Sequence, residues 1–154
     1  QNNWNFVPFT RQEFNAIGKE LLMVVPADFI QIASIDGQDA AFIVLLPNIN
    51  EAITDLNGRL LPFGWAKLLW RLKIRSPKTG RVPLMGVRQK YQNTRFGPAL
   101  AFMTIKGVID AGLAMGMERV ELSWILDHNH GVRKIIESVG GDITKRYCMY
   151  EKEL

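Results

Sequence analysis

Between Arg81 and Met115 an apolar strand, a turn rich in amides and cations, and a long helix follow one another. The helix, Gly97 to Met115, restricts the fold more than any other stretch. Leu100, Met103, Gly107 and Ala111 share one face, while Phe102, Ile105 and Ile109 share another. Apolar residues on both sides predict a helix covered on both faces. A strand–helix–strand unit in a layered α/β domain supplies such cover. Gly116 is placed to stop the helix in the left-handed conformation, and Arg119 to Leu126 follows as the next strand.

The turn before that helix carries the chemistry. The strand Arg81 to Arg88 contains Met85, Gly86 and Val87, and the turn reads Gln92-Asn93-Thr94-Arg95-Phe96-Gly97, with Pro98 and Ala99 opening the helix. Consecutive backbone N–H groups in such a turn can point at an anion, and the helix dipole favours negative charge there. Pro98 suits a first helical turn, where its missing N–H has no helical partner.

The chain leading to this unit is regular. Asn3 to Pro8 alternates weakly and reads as a first strand. Thr10 and Glu13 form a capping box for an amphipathic helix, Arg11 to Val24. Two apolar runs, Phe29 to Ile35 and Ala40 to Leu46, flank Asp36-Gly37, a strong hairpin signal. An insert of about residues 48–80 follows, with a short helix at Asn50 to Leu56 and a second at Phe63 to Ile74. Trp65, Leu68, Leu69 and Leu72 share a face of that second helix, which packs on the sheet or, with tryptophans beside cations, lies on a membrane surface. After Leu126, Asp127-His128-Asn129-His130-Gly131 opens a last helix, Val132 to Val139, stopped by Gly140-Gly141. Asp142 to Glu153 reads as a final strand or strand pair. The fold class is α/β (α+β), with a mixed, mostly antiparallel sheet.

Composition narrows the function. The 154 residues suffice for a single domain, residues 1–154. Nineteen Lys and Arg against fifteen Asp and Glu favour an anionic ligand without suggesting nucleic acid. The lone Cys148 excludes an intrachain disulfide and suits a reducing compartment. No secretory signal is legible at the start and no transmembrane helix is expected, so the expected location is cytoplasmic. The chain begins at Gln1, as expected of the C-terminal part of a longer bacterial protein. His128 and His130 have no further ligand at metal-binding spacing, and no metal is expected. Ser123 lacks a nucleophile elbow.

The strand, turn and helix resemble motif A of the GNAT acyl-CoA N-acyltransferases, a strand followed by Gln/Arg-x-x-Gly-x-Gly/Ala that binds the pyrophosphate of coenzyme A. Gln92 and Gly97 match it, and Arg95 stands where the first glycine would be. The element order is also that of the superfamily, with the helical insert between its third and fourth strands. Asn129, Val132, Ile135 and Gly140 fit a second family motif, in which Ile136 replaces a tyrosine and Gly141 a phenylalanine. The chain is most similar to a poorly characterised bacterial subgroup.

This resemblance implies transfer of an acetyl or other acyl group from coenzyme A to an amine by direct attack. It implies a cofactor site of Met85, Gly86 and Val87 on the strand, Gln92, Asn93, Thr94, Arg95, Phe96 and Gly97 in the turn, Pro98 and Ala99 in the helix, and Asn129. Glu121 and His128 are candidate bases, and Tyr147 is a candidate acid in place of the missing family tyrosine. Each has an ordinary alternative: a solvated strand face, a loop imidazole, a core tyrosine, and for Asn129 a helix cap. Two further readings stay open: a domain that binds acyl-CoA without turnover, and long-chain acyl transfer at a membrane surface.

Overall fold

The computed structural model describes residues 10–75, 77–122 and 124–152. The expected strand Asn3 to Pro8 lies outside them, as does Ser123. The chain divides into two compact units, Gln1–Trp124 and Ile125–Leu154.

In the first unit, helix α1 (Arg11–Val24) starts at the expected capping box. The Glu13 N–H donates to Thr10 Oγ1 at 3.3 Å, and the Thr10 N–H donates to Glu13 Oε2 at 2.8 Å. Strands β1 (Ile30–Ile35) and β2 (Gln38–Pro47) form the hairpin. Asp36 and Gly37 both have positive φ, +50° and +73°, so the turn is two residues long and of the mirror-image type that matches strand twist. The insert supplies α2 (Ile49–Ile53) and α3 (Gly64–Lys73), after which β3 (Thr79–Val87) runs antiparallel to β2. Asn48 and Glu51 fasten the insert to β3. The Asn48 Nδ2 donates to Thr79 Oγ1 at 2.9 Å, the Lys78 N–H donates to Glu51 at 2.9 Å, and the Thr79 hydroxyl also donates to Glu51.

A four-residue helix, α4 (Gln89–Gln92), then precedes α5 (Phe96–Ala114) and β4 (Arg119–Leu122). The sheet order is β1-β2-β3-β4, antiparallel except for the parallel β3–β4 pair. That is the mixed, mostly antiparallel sheet expected. Phe29, Ile43, Leu45, Ile105 and Val108 are its most deeply buried large side chains. α5 is long and apolar enough to cross a bilayer by length and composition alone. Here Leu100, Ala101, Thr104, Ile105 and Val108 are buried in a helix packed on β1, β2 and β3. The two-sided cover expected from the sequence is corrected in part: Ile105 is buried with Leu100, but Met103 of one predicted face and Phe102 of the other are exposed, as is Leu113. Gly116, at φ +80°, ends α5, and the Met117 N–H returns to the Gly112 carbonyl at 2.9 Å, a Schellman closure.

The second unit holds α6 (His130–Ser138). Gly140 has φ +86°, and the Gly141 N–H donates to the Ile136 carbonyl at 3.0 Å, so this helix ends in the same way. The expected last strand is not formed: residues 142–152 contain no strand and their side chains are exposed. Lys145 and Arg146 put charge on both faces of the would-be strand, leaving no continuous apolar row to bury.

Candidate functional site

The site begins with the way β3 leaves its neighbour. β3 pairs with β4 at four positions, Thr79↔Arg119 to Val82↔Leu122, and there the described part of β4 ends. β3 continues to Val87, still paired with β2 through Leu84↔Val44, Met85↔Ile43, Gly86↔Phe42 and Val87↔Ala41. The β2–β3 register slips between Val44 and Leu46, so Val82 and Pro83 together oppose Leu45. This is a β-bulge, which bends and twists the strand that carries it. Pro83 suits the spot, since a proline within a strand is tolerated at an edge or a bulge. It was also the sequence signal for the bulge, which the sequence reading missed.

Beyond the bulge, alternation decides which groups are free. The Arg88 N–H donates to the Ala40 carbonyl at 2.8 Å, toward β2. Gly86 and Leu84 face β2 by the same alternation, and Met85 and Val87 turn their backbone polar groups to the other edge. The Val87 carbonyl is taken by Gln92 Nε2 at 2.7 Å. The Met85 N–H and C=O and the Val87 N–H have no protein partner among the described residues. They form a short stretch of open strand edge beside the end of a parallel neighbour. Gly86 fits there because a Cβ would lie 2.8 Å from the Phe42 ring.

The turn after β3 differs from the expected run of free amides. The Thr94 N–H donates to the Tyr91 carbonyl at 3.1 Å, the Phe96 N–H to Thr94 Oγ1 at 3.2 Å, and the Gly97 N–H to the Thr94 carbonyl at 3.1 Å. Pro98 has no N–H to offer. Among these, the Arg95 N–H remains without a protein partner among the described residues. Gly97 is buried, and a Cβ on it would stand 2.7 Å from the Tyr91 carbonyl oxygen and 2.8 Å from that of Gln92. Its glycine is thus required by close packing of the α5 start on α4. Asn93 and Ala99 are exposed. So are the cations Arg88, Lys90 and Arg95, Lys90 being held by Gln38 Oε1 at 3.0 Å and Arg95 lying over the Phe96 ring at 5.2 Å.

Glu121 is exposed on β4, in register with the exposed Arg81, one rung before the last described β3–β4 pair. His128, Asn129 and Tyr147 belong to the second unit. Asn129 caps α6, its Oδ1 accepting from the Val132 N–H at 3.4 Å. His128 is exposed in the preceding turn. Tyr147 and Cys148 are exposed too, not strand core residues as their sequence setting suggested. No group of three or more His, Cys, Asp or Glu side chains that could hold a metal ion occurs among the described residues.

No protein-family model matches the chain. It is 53% identical over 154 residues to Protein YghO of Escherichia coli K12, and 46% identical over 153 residues to a bacterial ceramide synthase of Caulobacter vibrioides. These alignments take in 100% and 99% of this chain, which spans 40% of the length of each curated relative. Among solved structures it is similar to the aminoglycoside acetyltransferase AAC(6')-Iy in complex with the bisubstrate analogue CoA-S-monomethyl-acetylneamine. The TM-score is 0.59 at 18% identity, over 98% of this chain and 84% of that one.

Proposed function

We propose that this chain, which has the fold of the GNAT acetyltransferases, moves an acyl group from a coenzyme A thioester to a primary amine. One observation carries the reading: on the edge of β3, the Met85 N–H and C=O and the Val87 N–H have no protein partner among the described residues. An extended pantetheine arm carries amides that can pair with such an edge as an added strand. The thioester would follow along the same edge, where the Met85 N–H could meet its oxygen as charge grows on it. The amine nitrogen attacks the thioester carbon, the C–N bond forms as the C–S bond breaks, and the ammonium proton leaves by way of a base to reach the thiolate. Glu121, on β4 opposite Arg81 of β3, is a candidate base, while Arg88 and Arg95 are the candidate partners of the diphosphate.

The name of the Caulobacter relative supports one class of acceptor. A ceramide is an amide of a long-chain amino alcohol and a fatty acid, the bond that this reaction makes. We take a long-chain amino alcohol as the acceptor class and a long-chain acyl thioester as the donor, acting in the cytoplasm. A second reading, a domain that binds the thioester without turnover, draws on Ile136 and Arg95, which stand where the family motifs have a tyrosine and a glycine.

Thiol release from acyl-CoA donors of graded length, offered with a polyamine or a long-chain amino alcohol, separates the readings. Thiol release matched by amide product supports transfer. Saturable acyl-CoA binding with no product supports the second reading, and neither binding nor product removes both.

A further inference from the structure

The insert between β2 and β3 has a surface that acyl transfer does not account for. From Leu56 to Ile109 the chain contains no Asp or Glu, yet it carries eleven of the nineteen Lys and Arg. The same stretch exposes large apolar side chains on α5, at Phe102 and Met103, and in a denser group around α3. Leu61 is 81% exposed, Phe63 76%, Ile74 68%, Trp65 52% and Trp70 47%. All five lie in α3 or at its two ends.

These side chains stand on a braced element. Asp55 accepts from Lys67 Nζ at 2.6 Å and Arg71 Nη1 at 2.5 Å, and Arg71 also donates to the Ala52 carbonyl at 2.7 Å, which ties α3 to α2. The two cations hold the Asp55 carboxyl well below its ordinary pKa. Lys73 Nζ reaches the Leu22 carbonyl of α1 at 2.9 Å, and Leu72 is buried. Arg59 and Arg75, at either end of the insert helix, have no acidic partner among the described residues. Phe63, Trp70 and Ile74, spaced i, i+7 and i+11, fall on one side of α3, between the unneutralised Arg59 and Arg75.

We propose that this side of α3 docks on an anionic lipid bilayer, with the Phe63 and Trp70 rings at the headgroup boundary and Arg59 and Arg75 over lipid phosphates. Tryptophan and phenylalanine beside arginine and lysine are the composition of interfacial helices. Cations near an anionic leaflet are attracted to it, and that attraction fades with salt. A second copy of the chain fits less well, because self-association would bring the unneutralised Arg59 and Arg75 of both copies together. The inference stands on the insert alone and does not need the transferase reading, although a membrane is where a long-chain amine would be met.

Co-sedimentation of the chain with vesicles tests it. Binding is expected to phosphatidylcholine vesicles containing phosphatidylglycerol, weaker to phosphatidylcholine alone, and weaker again in high salt. Phe63→Ala and Trp70→Ala should each lower the partition coefficient by roughly tenfold. Arg75→Glu, an exposed change that leaves the apolar face intact, should lower it on the anionic vesicles only. Thermal melting checks that the variants fold. No binding to anionic vesicles overturns the proposal, and so does binding that all three substitutions leave unchanged. Concentration-dependent dimerisation abolished by Phe63→Ala would also overturn it, in favour of a second copy.

Discussion

Met85→Pro isolates the open edge from the rest of the sheet. Proline removes one N–H, and at Met85 that group faces away from β2 and bonds to nothing among the described residues. The β2–β3 ladder therefore keeps its hydrogen bonds, and the melting temperature should stay within a few degrees of the parent. If the Met85 N–H meets the thioester oxygen, losing it should resemble loss of one oxyanion donor, about 10²–10³-fold in kcat. Leu84→Pro is the matched control. Its N–H faces β2, so proline leaves the Val44 carbonyl without its partner, at about 1–3 kcal/mol. For a chain of this size that lowers the melting temperature by roughly 2–4 °C per kcal/mol. The assay is thiol release from acyl-CoA beside a thermal melt for each variant. A Met85→Pro protein that melts like the parent and turns over like the parent would refute the assignment of this edge.

Other perturbations probe the supports of the site. Gly97→Ala pushes a methyl group into the Tyr91 and Gln92 carbonyls, so about 1–3 kcal/mol of stability should be lost in denaturant titration. Asn129→Ala removes the α6 cap and should cost about 0.5–2 kcal/mol, read as faster amide exchange in the first turn of that helix. Glu51 has its pKa lowered chiefly by the Thr79 hydroxyl, so its contribution is complete above the unfolded value of 4.5 and fades as pH falls through the lower folded value. Melting temperature against pH should show that acid limb in the parent and a flatter one in Glu51→Gln.

What the sequence revealed was local chemistry. Thr10 with Glu13, Asp36-Gly37, Gly116 and Gly140-Gly141 each act within a few residues of themselves, and each was legible as a cap, turn or stop. The slip of β3 against β2 was not, because register is a relation between segments far apart in sequence. Pro83 hinted at it, yet a proline alone does not say which neighbour slips. The hydrogen bonding of the turn was hidden for a related reason. Gln92 and Gly97 matched an anion-binding pattern, but the Gln92 side chain is committed to the Val87 carbonyl and Gly97 to close packing against α4. Composition cannot separate a glycine kept for a ligand from one kept for a neighbouring helix. Residues 142–152 carried β-forming side chains with no continuous apolar face, and they form no strand.

Amide hydrogen exchange at single-residue resolution, with and without acyl-CoA, tests the central claim most directly. In the free chain the Gly86 and Leu84 amides should exchange slowly through their bonds to β2, and the Met85 and Val87 amides quickly. Added acyl-CoA should slow Met85 and Val87 and leave their two neighbours unchanged. Met85 and Val87 amides that exchange at the same rate under saturating acyl-CoA would contradict the account.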